Sequence, residues 1–180
     1  MIALALPFNR KAKVWVGDQP GAIYVTDRSV KHILEAKPSF TNTFHRGAVE
    51  LYVPTGPRSI YGLLGAEFKH DKSNKVSIRV NISSDRGPRF IGSLAEASDD
   101  VRIGLPEEYV EGVLRGVLMA QQQVEHLLSG DVVFNCGAYG VKWSSQLIFS
   151  HLSSILLKIL MMNNDEFSEE KLALLFQLTF

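Results

Sequence analysis

The sequence predicts an α+β protein, an antiparallel-rich sheet with helices on one face. Three observations predict it. Lys75, Ser77, Arg79 and Asn81 alternate with Val76, Ile78, Val80 and Ile82, and a period of two gives a strand one wet and one buried face. Two long segments in the second half carry apolar residues at helical spacing. Strand-like segments crowd the first half, whereas the second reads helix, strand, helix, which is the order of segregated layers.

Composition sets the outer limits. The chain has 180 residues, the length of one domain or of one domain with an appended lobe. With 46% hydrophobic and 21% charged residues it is neither collagen-like nor low-complexity. A lone cysteine, Cys136, excludes an intrachain disulfide framework and a multi-cysteine zinc site. The first residues lack basic side chains ahead of an apolar run, a poor match to a signal peptide. The longest apolar stretch, residues 147–162, contains His151, Lys158 and several serines, and reads as a buried helix rather than a membrane span. The expectation is a soluble, cytoplasmic protein.

The net charge of zero hides an asymmetry. Residues 1–90 hold 14 basic and 7 acidic side chains; residues 91–180 hold 5 and 12. A basic half attracts phosphate backbones; alternatively, the two halves complement each other within the fold or across a homodimer.

Residues 1–44 read as a β-rich extension with a short helix. Residues 14–16 and 22–26 are strand-like around the turn Gly17-Asp18-Gln19-Pro20-Gly21. Asp27 suits the cap of a helix with Val30, Ile33 and Leu34 on one face, stopped by Pro38. Residues 39–43 form the boundary. Residues 45–162 read as the main α+β domain. In it, residues 48–53 are a strand, residues 61–68 suit a strand or a short helix, and residues 70–74 form a turn or an exposed loop. Gly56-Pro57-Arg58 and Gly87-Pro88-Arg89 echo one another. They are either a repeated turn chemistry or a device presenting both arginines to an anion.

Pro106 opens a helix with Glu107 and Glu108 at its positive end and Gly130 as its stop. Val110, Val113, Leu114, Val117 and Val124 form its inward stripe, and Gly112 and Gly116 let that face approach a sheet closely. Residues 132–136 are a strand. Ser144 or Ser145 opens a second helix with Ile148, Leu152, Ile155 and Ile159 inward. Residues 163–180 add a C-terminal helix capped by Ser168, with Leu172, Leu175 and Phe176 inward.

The run Leu105-Pro106-Glu107-Glu108-Tyr109-Val110-Glu111-Gly112-Val113-Leu114-Arg115-Gly116-Val117 resembles the proline-started helix of domain IV of elongation factor G, the ribosomal translocase. Val132-Val133, Gly137-Ala138-Tyr139, Ser144-Ser145 and Phe149 match the strand, loop and second helix that follow in that family. The resemblance spans about residues 102–162. It implies a split β-α-β arrangement with two helices on one face, and a module that contacts RNA. The family's tip histidine is replaced by Gly140, and its acidic residues by Val141, Lys142 and Trp143. No phosphate-binding G-x-x-x-x-G-K-[ST] loop occurs, so no GTP site is expected.

The leading expectation is therefore a non-enzymatic module binding the ribosome or another structured RNA, without membrane contact. It would use the loop residues Tyr139, Lys142 and Trp143 with Arg58, Lys75, Arg79 and Arg89. An aromatic and basic loop stacks on a base and meets phosphate; the alternative for Trp143 is packing beside the helix start. Two other readings stand beside it. One is a protein-interaction or self-associating module using Leu174, Leu178 and Phe180. The other is a small enzyme of unrecognised activity. The five histidines show no metal-ligand spacing, no catalytic residues or cofactors are assigned, and Cys136 and His151 read as core residues.

Overall fold

Alternating strands that bury one face need a layer to bury it against, and the two amphipathic helices supply it. The computed structural model describes residues 1–38, 45–84, 86–125, 127–163 and 167–176. Among them are eight strands: β1 (Ile2–Ala5), β2 (Lys11–Val16), β3 (Arg28–Glu35), β4 (Arg46–Thr55), β5 (Arg58–His70), β6 (Lys75–Ile82), β7 (Val101–Ile103) and β8 (Gly130–Gly140). The helices are α1 (Val110–Gln123), α2 (Gln146–Met161) and α3 (Glu169–Leu175). One sheet runs β1-β2-β4-β5-β8-β6-β3, with β7 added to β8. Every pairing is antiparallel except β6 with β8. That one parallel contact follows from connectivity, because α1 carries the chain back across the sheet between these two strands. The fold is thus α+β with a mostly antiparallel sheet. No helix among the described residues is long and apolar enough to cross a membrane.

The main core lies between α1, α2 and one sheet face, where Val113, Val117, Ile148, Leu152 and Ile155 meet Leu64, Val76, Ile78, Val80 and Phe134. The inward residues of β6 are the four that the alternation predicts. Ser145 caps α2, its side chain accepting from the Ile148 N–H, and Ser168 caps α3 through the Lys171 N–H. Leu172 and Phe176 are buried in the same core.

Gly112 and Gly116 permit a close approach, but of helix to helix. A Cβ on Gly112 would strike the Gln146 carbonyl, and one on Gly116 the Ser150 carbonyl and Ser153 hydroxyl. Ser153 donates to the Val113 carbonyl at 2.8 Å across this seam.

Several elements differ from expectation. The helix expected after Asp27 is the edge strand β3, paired along its length with β6 from Arg28–Ile82 to Glu35–Lys75. Val30, Ile33 and Leu34 fit a helical stripe, but a ladder to a neighbouring strand overrides so short a local pattern. Residues 22–26 are a loop with one bridge, Ile23 to Cys136. Residues 61–68 belong to strand β5. The first long helix starts after a single 3-10 turn at Glu107–Tyr109 and ends at Gln123, while Gly130 begins β8. The expected boundary at residues 39–43 lies outside the described residues.

The sheet face away from the helices is partly covered too. Ala22, Ala95 and Val101 pack there on Tyr61, Leu63, Cys136 and Ala138, with Phe90 and Leu94 alongside. Strands β1 and β2 join the sheet through β4 and β3 joins it through β6, so the first 38 residues contribute three of its strands.

Candidate nucleic-acid interface

At one end of the sheet the β4–β5 turn lies beside the connection from β8 to α2. Thr55 pairs with Arg58 across a two-residue turn, Gly56-Pro57. Gly56 has φ of 72°, the positive value that primed hairpin turns demand at their first central position. Arg58 is thereby fixed at the first position of β5, and its guanidinium carbon lies 5.0 Å from the centre of the Trp143 ring. Trp143 is half-buried, while Arg58 and Lys142 are exposed.

The connection that carries Lys142 and Trp143 is tied down at several points. The Gly140 N–H donates to the Ser144 hydroxyl at 2.8 Å, and that hydroxyl donates to the Tyr61 carbonyl at 2.6 Å. The Val141 N–H donates to the Asp100 carbonyl at 3.1 Å. The buried Asp99 carboxylate accepts from the Lys142 N–H at 3.3 Å and from the Asp100 N–H at 2.8 Å. A side chain at residue 140 would collide with that carboxylate. The nearby Asp100 carboxylate is held by Arg102 at 2.6 Å. Arg58 and Lys142 are in no ion pair among the described residues. A rigid platform therefore presents two free cations beside an aromatic ring.

The other expected RNA-contacting residues divide. Tyr139 is not on a loop: it lies in β8, only 7% exposed, with its ring 5.9 Å from that of Tyr109. Burial raises its hydroxyl pKa, against the pull of the nearby Arg86 and Arg102 cations. Buried in this way, its ring offers no face to a base. Arg89 is exposed, and its backbone bridges that of Arg102, which pairs with Tyr139, at the same end of the sheet as the platform. The echo of the two Gly-Pro-Arg runs is not structural, because Gly56 turns a hairpin whereas Gly87 packs on the Ile103 backbone. Arg79 points from the open sheet face into a groove of about 610 Å³ lined by Arg46, Glu67, Lys69, Asp131 and Val133. Lys75 starts β6 at the far end, about 23 Å from Ile82 at some 3.3 Å per residue. Of the self-association residues, Leu174 is exposed on α3; Leu178 and Phe180 lie outside the described residues.

Glu50 escapes the sequence reading. It is fully buried on β4, accepting from the Leu94 N–H at 2.8 Å and the Tyr61 hydroxyl at 3.0 Å, with Lys13 Nζ at 3.4 Å. Burial raises its pKa, and these donors oppose the rise. Its signal in the sequence is a lone carboxylate inside the apolar run from Ala48 to Val53. The group secures residues 92–96 to the sheet: Lys13 also donates to the Gly92 carbonyl. Cys136 is fully buried and its thiol is pushed up to about 12 by desolvation, the opposite of an activated nucleophile. His151 is buried in α2, and desolvation lowers its pKa.

Comparisons of the chain with protein families and with curated proteins found no match, so the reading of this platform rests on its own geometry.

Proposed function

We propose that the chain is a non-catalytic module that binds structured RNA, the ribosome foremost, through Arg58, Lys142 and Trp143. The observation that carries this reading is the pair of exposed, unpaired cations held beside Trp143 by two constrained connections, with the neighbouring carboxylates already engaged. Such a surface meets the phosphate backbone without needing to read sequence. Trp143, half-buried beneath Arg58, adds an aromatic ring to the cationic surface, the combination that single-stranded segments of structured RNA meet by stacking and charge. Two helices packed on one sheet face support the likeness to domain IV of elongation factor G, but the parallel strands β6 and β8 pair directly and are not split by a strand between them, as that likeness implies.

Co-sedimentation of the purified chain with ribosomes at about 50 and about 200 mM salt tests the reading. The expected result is binding that falls steeply with salt. Replacing both Arg58 and Lys142 by Ala should weaken it and shallow the log–log salt slope by roughly 1.5. Absence of binding at the lower salt overturns it. So does binding that the double substitution leaves intact.

A further inference from the structure

Strand β3 is an eight-residue sheet edge, exposed along its length except for half-buried Leu34. The Ala36 N–H donates to the Asn74 carbonyl at 3.0 Å, in the register that sets Glu35 opposite Lys75. In an antiparallel ladder this alternation turns the N–H and C=O of residues 28, 30, 32 and 34 toward β6. Those of Ser29, Lys31, Ile33 and Glu35 point outward, and no hydrogen bond from another described residue meets them. Natural sheets seldom leave so long an edge unpaired. The strand also exposes apolar surface, with Ile33 at 55% and Val30 at 37%.

We infer that this edge pairs with β3 of a second copy of the chain, antiparallel, about a two-fold axis through Ile33. The charge pattern selects the partner and the register. With Ile33 opposite Ile33 of the second copy, each Lys31 lies opposite Glu35 of the other chain, and all six side chains share the open face. Within one chain Lys31 lies opposite Arg79, a like-charge neighbour that destabilises a sheet pair; Glu35 of the second copy offsets it. Centring the axis on Lys31 sets Lys31 against its own copy and Glu35 against Asp27. Centring it on His32 sets Lys31 against Ile33. A shift by one residue between the strands puts the two copies' side chains on opposite faces. Of the registers held within β3 itself (Arg28–Glu35), the Ile33-centred one joins opposite charges and apolar surface together.

Sedimentation equilibrium of the full chain over a wide concentration range reads the association. The expected result is a reversible dimer. Lys31→Glu or Glu35→Lys alone should weaken it, roughly tenfold for two symmetric pairs turned repulsive, and the double swap should restore it. Both residues are exposed, so the fold tolerates these changes. Under mild oxidation Ile33→Cys should give a covalent dimer, since hydrogen-bonded pairs hold Cα atoms about 5.5 Å apart, and His32→Cys should not. The native Cys136 is buried and stays out of the reaction. A chain that stays monomeric at near-millimolar concentration overturns the proposal and leaves the edge to an extended segment of another protein. A dimer indifferent to the charge swap, or cross-linked through His32→Cys instead, overturns it equally.

Discussion

The guanidinium of Arg58 rests over the ring of Trp143, 5.0 Å from its centre, and joins the β4–β5 turn to the connection that follows β8. A cation over an indole at a partly exposed site contributes about 0.5–1 kcal/mol. A double-mutant cycle with Arg58→Ala and Trp143→Leu, followed by urea denaturation, should give a coupling energy in that range. Arg58→Ala alone should also shift Trp143 fluorescence to the red as the ring gains water. Zero coupling would mean that the two side chains are mere neighbours.

Gly116 should be intolerant of any side chain. Gly116→Ala drives a methyl into the Ser150 carbonyl and Ser153 hydroxyl, forcing α1 and α2 apart at a cost of about 1–3 kcal/mol. Gly21→Ala is the control, because nothing lies within 4 Å of its added methyl, and it should stay within about 0.5 kcal/mol of the parent. Equal midpoints for the two variants would contradict the tight helix seam.

The buried carboxylate of Glu50 predicts a pH dependence of known sign. Its pKa is raised in the folded chain, so the folded state holds that proton more tightly than the unfolded state does. Stability therefore falls as pH rises from the ordinary carboxylate value through the raised one. Glu50→Gln keeps an acceptor for Tyr61 and Leu94 but has no proton to lose. Thermal unfolding measured from pH 4 to 8 should show this downward component in the parent and not in the variant. Identical profiles would remove Glu50 as its source.

Ser144 is the bolt of the platform, accepting from Gly140 and donating to Tyr61. Ser144→Ala should cost about 1–2 kcal/mol, as expected when buried hydrogen-bonding groups lose a partner. Hydrogen exchange at the Gly140 amide should accelerate more than exchange in β6. Uniform acceleration across the sheet would instead report global destabilisation.

The sequence made some of these features legible and hid others for physical reasons. Strand β6 is readable because one face packs on helices and the other meets water, so its composition records its burial. Ser145 and Ser168 are readable because capping is a local hydrogen bond. Strand β3 is misleading because both its faces are exposed; with no burial contrast, its three aliphatic residues mimic a helical stripe. Gly112 and Gly116 announce a close approach without naming what approaches. The cover over the second sheet face is written in residues such as Ala22, Ala95 and Phe90, scattered through irregular segments with no period to detect. At the platform, Lys142 and Trp143 follow from their place in the resemblance, and Arg58 from its turn. The burial of Tyr139 does not, because a strand continuing through Gly137-Ala138-Tyr139-Gly140 looks, as a string, like a loop.

The position of β8 between β5 and β6 governs the order in which the chain can fold. Before residues 130–140 leave the ribosome, the described strands already made fall into two ribbons, β1-β2-β4-β5 and β3-β6, that do not pair with each other, and β7, whose one partner is β8, belongs to neither. The strand that welds them is the last of the eight described strands in chain order, and its pairing with β5 closes a loop of some sixty residues, from His70 to Gly130. Long-range closure of this kind is slow. Each ribbon meanwhile carries a raw edge, and α2, the main cover of the core, is made later still. The single sheet is therefore complete only once β8 is made, and a chain truncated before Gly130 should yield two aggregation-prone ribbons with raw edges rather than a smaller version of the same protein.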